Sequence, residues 1–220
     1  MKIALLGAGK TGIKVTELHK ECVVYNSKNI PTLESLKECD VIISFLAGEI
    51  FLDYIPLLIE SKKPVVTGST GFEWPKRIDT ELKAFSLKWI KAHNFSLGMN
   101  IVKEMIQTLS KGTSLYEDYK INIHDIHHTQ KLDSPSGTAV SWKNWLGQDA
   151  SITSERLGDV VGYHHLELQT EMENIKITHE AKDRSIFANG ALWAATEILK
   201  EDTPIGLNDF SEIVKLRIKI

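Results

Sequence analysis

The stretch KIALLGAGKTG, residues 2–12, decides how this chain folds. A short apolar run over residues 2–6 stops at Gly7, and Ile13, Val15 and Leu18 then recur at helical spacing. Glycines spaced GxGxxG between a strand and a helix have distinct duties. Gly7 makes the tight turn, Gly9 lets a pyrophosphate approach the backbone, and Gly12 lets the helix pack on the strand. Gly7, Ala8, Gly9, Lys10, Thr11 and Gly12 are therefore candidate cofactor-binding residues. A glycine-rich turn with no ligand is the competing reading.

Working outward, residues 22–25 read as the second strand, and the residue that reads a ribose belongs at its end. Asn26, Ser27 and Lys28 stand there. No carboxylate is present to grip the 2′-hydroxyl of NAD, whereas Lys28 and Ser27 could meet the extra phosphate of NADP. The expectation is a nicotinamide cofactor, NADPH ahead of NADH, with a plain surface lysine as the alternative for Lys28. Two further apolar runs, DVIISF (40–45) and PVVT (64–67), are separated by a helical stretch over 49–61. Buried strands alternating with helices predict a parallel, doubly wound, Rossmann-like sheet.

Ligands of such sheets bind at the carboxyl ends of the strands. Leu46, Ala47 and Gly48 fall there, as do Gly68, Ser69, Thr70 and Gly71. Residues 89–92 read as a fifth strand leading to Ala92, His93, Asn94 and Phe95, and Phe95 could stack near a nicotinamide or serve as core.

After Ser96 the pattern changes. Residues 97–109 form an amphipathic helical pattern, 119–126 alternate like a strand, and 137–146 are helical again. SITSERL, YHHLELQ and NIKITHE, within 151–180, repeat with period two and are separated by turn signals. This predicts a second, α+β domain with an open mixed sheet over 97–185. The apolar helix at 185–199, a turn at 202–204 and a last segment to Ile220 are expected to return to the first domain, giving 1–96 with 186–220.

Polar chemistry concentrates in HDIHHTQKLDSPSGTA, residues 124–139. Pro135 fixes its own backbone and Gly137 permits close approach. The amides and hydroxyls of Ser136, Gly137 and Thr138 can thus face an anion at a helix N-terminus, where the backbone dipole favours negative charge. His127, His128 and Lys131 would add positive charge and a transferable proton. A metal site is one rival, but strand alternation puts His124 and His127 on opposite faces, so no metal is expected. A solvated loop in which Ser136 merely caps a helix is another.

Composition narrows the class. With 220 residues and 42% hydrophobic content the chain can bury a substantial core. Its formal charge of −3, with signs interspersed, does not suggest a nucleic-acid surface, and no apolar run approaches a membrane span. The opening apolar run is too short for a secretory signal, and Cys22 and Cys39 read as packing residues, so a reducing, cytoplasmic setting is expected.

Taken in order, these motifs resemble the dihydrodipicolinate reductase family, also called 4-hydroxy-tetrahydrodipicolinate reductases. HHTQKLDSPSGTA (127–139) is similar to the family signature His-His-x-x-Lys-x-Asp-Ala-Pro-Ser-Gly-Thr-Ala, with Ser134 at the usual alanine. GAGKTG (7–12), GSTGF (68–72), NFSLGMN (94–100), GDVVGYH (158–164) and ITHEAKDRSIFANGA (177–191) match further family runs.

The resemblance implies NAD(P)H-dependent reduction of dihydrodipicolinate in the diaminopimelate route to lysine. It also implies a homo-oligomer, a tetramer in the family, assembled through the second domain. His127 would be the proton donor and acceptor and Lys131 a second donor. His128 would contact substrate, and Ser136, Gly137 and Thr138 would hold a carboxylate. Residues 7–12, 68–70 and 92–95 would line the cofactor, and Arg184 would serve the domain contact or the substrate side. The sequence departs from the family at Asn26-Ser27-Lys28, where an acid is frequent, and at Ser44-Phe45-Leu46, where Asp-Phe-Thr or Asp-Phe-Ser is usual. Two rivals stay open: a related dehydrogenase of a small carboxylate or amino acid semialdehyde, and a non-catalytic dinucleotide sensor.

Overall fold

A computed structural model describes residues 1–218, so the end of the expected last segment, Lys219 and Ile220, lies outside the described residues. Strand β1 (Ile3–Leu6) is buried at every position, as a central parallel strand must be. Helix α1 (Lys10–Leu18) follows with Gly9 as its N-cap. The helix buries Gly12 and Val15, while Ile13 and Leu18 are exposed. Strand β2 (Cys22–Tyr25) leads to α2 (Leu33–Lys37), a short helix that starts where Thr32 and Ser35 cap each other reciprocally. Then come β3 (Val41–Ser44), α3 (Gly48–Ser61), β4 (Val65–Thr67), α4 (Ile78–Ala84) and β5 (Lys88–Lys91).

Next the chain forms α5 (Leu97–Gly112), β6 (Lys120–His127), α6 (Gly137–Leu146), β7 (Ser151–Arg156), β8 (Gly162–Gln169) and β9 (Asn174–Ala181). These make a four-stranded mixed sheet in the order β7-β6-β8-β9, in which β7 runs parallel to β6 and the other pairs are antiparallel. One sheet face packs Ile121, Ile123, Leu166, Leu168 and Ile177 with Met99, Val102, Ile106, Ala139, Trp142 and Leu146 from the two helices. That apolar face is what the period-two pattern encodes.

Helix α7 (Ser185–Glu197), β10 (Gly206–Asp209) and α8 (Phe210–Ile218) complete the first sheet. Its order is β10-β5-β4-β3-β1-β2, and every pairing is parallel. Because β1 pairs with β2 on one side and β3 on the other, the order reverses at β1, the position where such sheets receive ligands. The fold is the α/β, doubly wound sheet joined to a second mixed sheet. The chain divides into two compact units, Met1–Ser96 with the chain from Ser185 onward, and Leu97–Arg184.

Three elements differ from the sequence reading. Strand β6 runs one residue beyond the expected end, so His127 is its last residue and is fixed by the sheet. Helix α4 and strand β10 carry too little periodicity to be read locally, and β10 is defined by its pairing with β5.

Candidate active site

In the first unit, the glycine turn has the geometry its sequence predicts. Gly7 has φ +94°, and a Cβ there would lie 2.9 Å from the Phe45 carbonyl oxygen. A Cβ on Gly12 would lie 2.2 Å from the Gly7 carbonyl oxygen, so α1 can start this close to β1 only without one. At Gly9 a Cβ would meet no atom within 4 Å, and no side chain caps α1. Open space over an uncapped helix N-terminus fits a pyrophosphate. Ala8 and Lys10 are exposed and Thr11 is half-buried beside them.

The neighbouring strand ends are less open. Ser69 is buried, and its hydroxyl lies 3.2 Å from that of Ser44. Gly68 packs where a Cβ would meet the Phe45 ring at 2.6 Å, while Thr70 is exposed. Ala92 and Asn94 are half-buried and His93 is exposed. Of the two readings of the Phe95 ring, the structure shows core. The ring is 2% exposed and packs edge-on against Phe45 and Phe210, so it supports Gly68 from inside the core and offers no free face for stacking. At the end of β2, the Asn26 side chain accepts the Lys28 and Asn29 amides, which uses it up in its own turn and leaves Ser27 and Lys28 exposed.

In the second unit, β6 builds the reactive cluster. Alternation places Asp125 and His127 on one face, with His124 on the other against Thr153. Asp125 is fully buried. Its Oδ2 lies 2.9 Å from His127 Nδ1 and 3.4 Å from Arg156 Nη1, and its Oδ1 accepts the Ser154 hydroxyl at 2.6 Å. Burial by itself would push the Asp125 carboxyl up. The Ser154 hydroxyl, the His127 ring and the Ser136 amide together hold it below its ordinary value, so it is the anion that keeps a proton on His127 Nδ1. Among the described residues no group of three His, Cys, Asp or Glu side chains is arranged to hold a metal ion.

His127 is 7% exposed, and burial pushes it below its ordinary value against the opposing pull of Asp125. Its ring stands 5.0 Å, edge-on, from that of His164, which burial and the charge of His127 push down to about 4. On the Nε2 side a Cβ at Gly162 would come within 3.3 Å of that nitrogen, so a side chain at this position would crowd it. The imidazole is thus anchored at Nδ1, and Nε2 is the nitrogen left for proton transfer.

The loop after β6 carries the remaining candidates. Lys131 donates to Asp133 at 2.7 Å, and the backbone N–H of Gly137 donates to the same carboxylate at 3.3 Å. An anion therefore already sits where the lysine and the α6 N-terminus converge, and the Lys131 ammonium holds the Asp133 carboxyl below its ordinary range. The expectation for the Ser136 hydroxyl needs correcting. It is buried, caps α6 by accepting the Ala139 N–H at 3.1 Å, and lies 3.4 Å from His164 Nε2, so it braces the corner from behind. Gly137 is exposed and Thr138 half-buried at the first turn of α6, and His128 is half-buried beside His127. Arg184 is exposed.

Sequence reasoning passed over Asp125, Arg156, Gly162 and His164 as working parts of this cluster. The signal for Asp125 was present, since residues two apart on a strand share a face. Gly162 and His164 lie in the GDVVGYH run and Arg156 just precedes it, but only the pairing of β6 with β7 and β8 brings them to His127.

Comparisons with known proteins identify the family and the fold. Family models described as dihydrodipicolinate reductase match the chain in two parts, the N-terminus over residues 20–95 and the C-terminus over 98–213. The 4-hydroxy-tetrahydrodipicolinate reductase of Christiangramia forsetii is 36% identical over 93% of this chain and 95% of its own length. That of Pelagibacter ubique is 31% identical over 86% and 81%. A solved structure, a dipicolinate-bound dihydrodipicolinate reductase from Paenisporosarcina sp. TG-14, has the same fold, with TM-score 0.70 and 20% identity over 95% of this chain and 97% of that chain. An aspartate dehydrogenase from Thermotoga maritima shares the fold more loosely, with TM-score 0.52 and 14% identity over 91% and 97%.

Proposed function

The chain belongs to the dihydrodipicolinate reductase family, and from that premise we propose how its residues carry the family's reaction. The protein is an NAD(P)H-dependent oxidoreductase that reduces dihydrodipicolinate (4-hydroxy-tetrahydrodipicolinate) to tetrahydrodipicolinate in the diaminopimelate route to lysine. The unit containing β1 is the dinucleotide-binding domain. Leu97–Arg184 is the substrate-binding and oligomerisation domain.

Residues 7–12, with Gly68, Ser69, Thr70 and the backbone of residues 92–95, hold the dinucleotide. When bound, the nicotinamide supplies hydride to ring carbon C4 of the substrate. Ser27 and Lys28, exposed and free of a neighbouring carboxylate of the NAD-reading kind, favour NADPH over NADH.

A planar dicarboxylate brings its own anion to the corner now held by Asp133. Lys131 and the Gly137 and Thr138 backbone take one carboxylate, and His128 contacts the ring. Hydride arrival leaves an electron-rich enamine, which the Lys131 ammonium stabilises. Preorganised donors of this kind contribute about 2.7–4 kcal/mol each. His127, held through Nδ1 by Asp125, then gives the Nε2 proton to the adjacent ring carbon and restores the imine. In the ligand-free protein burial keeps this imidazole mostly neutral. The negative substrate favours its charged form, so substrate and proton arrive together.

The observation that supports this reading most is the buried Asp125 carboxylate at 2.9 Å from His127, beside Lys131 on the loop that opens α6. The test is a spectrophotometric assay of cofactor oxidation with freshly prepared dihydrodipicolinate, run with NADPH and NADH. Turnover with a higher kcat/KM for NADPH is expected. No turnover would refute the reaction, and preference for NADH would refute the role of Lys28.

A further inference from the structure

Arg156 ends β7 opposite His127, its partner in the parallel register. Its head group does not face solvent as an end-of-strand arginine ordinarily would; the side chain is 19% exposed. Nη1 lies 3.4 Å from Asp125 Oδ2 and donates to the Glu155 carbonyl at 2.7 Å. Nε donates to the Lys131 carbonyl at 3.3 Å, and Nη2 donates to the Asp133 carbonyl. One planar group therefore joins the carboxylate behind His127 to the backbone on both sides of Leu132.

Elsewhere that backbone is held by the Thr129 N–H donating to the Gly158 carbonyl at 3.1 Å, the Lys131 N–H donating to the His128 carbonyl at 3.1 Å, and Asp133, which accepts from the Lys131 ammonium and the Gly137 N–H. Between β6 and α6 the loop carries no regular helix or strand, and Leu132 is 98% exposed, so no apolar side chain at its centre anchors it. Ordering such a loop costs backbone conformational entropy. A rigid fork of donors that meets several acceptors at once can offset that cost, and a lysine ammonium cannot span the same set.

We propose that Arg156 is a positioning residue that locks the Lys131 loop against the Asp125–His127 pair, so that the lysine and the proton donor are presented as one unit. The inference rests on the roles given above to His127 and Lys131. The charged and titratable groups around the His127 ring are Asp125 on β6, Lys131 on the loop, Arg156 on β7 and His164 on β8, with His179 on β9 beyond His164. Arg156 and Lys131 both act to lower its pKa, so removing the guanidinium should raise it.

The test uses the full chain with Arg156→Lys and Arg156→Ala. In the ligand-free protein, backbone order parameters of residues 129–135 and the titration of His127 are followed by NMR. In the assay, kcat and KM are measured with and without millimolar guanidinium. The expected results are lowered order parameters in that loop for both variants and a His127 titration displaced upward in Arg156→Ala. In addition, kcat should fall roughly 10-fold or more with the cofactor KM unchanged, and guanidinium should partly restore it in Arg156→Ala only. An unchanged loop and an unchanged His127 titration would overturn the proposal whatever the assay gives. Absence of turnover in the wild type would instead refute the assigned reaction and leave the NMR comparison to decide the role of Arg156.

Discussion

Asp125 shows how one buried carboxylate organises a reactive group. With His127 Nδ1, Ser154, Arg156 and the Ser136 amide around it, replacing it by an isosteric asparagine removes the charge and permits the other imidazole tautomer. The Asp125→Asn variant should lose kcat by roughly 10²-fold, as general acid–base help typically contributes. His127→Ala and Lys131→Ala should each cost roughly 10²-fold or more in kcat while the protein stays folded, checked by steady-state kinetics beside a thermal melt. Wild-type kcat in any of them would remove that residue from the mechanism.

His164 sets the acid sensitivity. Its pKa is lowered from 6.5 to about 4, so the unfolded chain binds more protons than the native one between those values. Its contribution to stability is complete above pH 6.5 and is lost as pH falls towards 4, by roughly 3 kcal/mol in all. A melting temperature that does not fall over that interval, or falls equally in His164→Leu, would contradict this.

At the scale of elements, most of the fold was legible because hydrophobic pattern and element agree. The buried runs became β1, β3 and β4, and the period-two runs became β7, β8 and β9. What escaped was decided by distant partners. Strand β10 reads only GLND, and its place is fixed by pairing with β5 and by Gly206 at φ +109°. The site divides the same way: the glycine turn and His127 and Lys131 stand out in the sequence, while Arg156 gains meaning only once β7 lies beside β6.

Helix α7 offers a test at this scale. A Cβ at Gly190 would lie 1.7 Å from the Phe95 carbonyl oxygen, so the helix rests on that backbone. Gly190→Ala must push α7 away and should cost about 1–3 kcal/mol or more, read as a lower urea midpoint. An unchanged midpoint would mean that α7 does not pack there.

For the molecule as a whole, function depends on two different kinds of order. One unit supplies rigid backbone, in which glycines at positions 7 and 12 leave no room for side chains. The other supplies buried ionic chemistry on a sheet whose other face is polar. Among the described residues no helix is long and apolar enough to cross a membrane. The pH response of the whole enzyme follows from His127. Because kcat/KM reports the free enzyme and burial holds His127 below its ordinary value of 6.5, kcat/KM should already be falling as pH rises through 6.5 and should go on falling above it, as the needed imidazolium becomes scarcer. A rise over that range would mean that His127 acts first as a base.

The central claim is that this chain moves hydride from a nicotinamide to the substrate ring. It is tested most directly by running the reaction with NADPH carrying deuterium in the transferred position and locating the label in the product. The account predicts one deuteron on ring carbon C4 of tetrahydrodipicolinate. Product formed without the label, or labelled at another carbon, would contradict it.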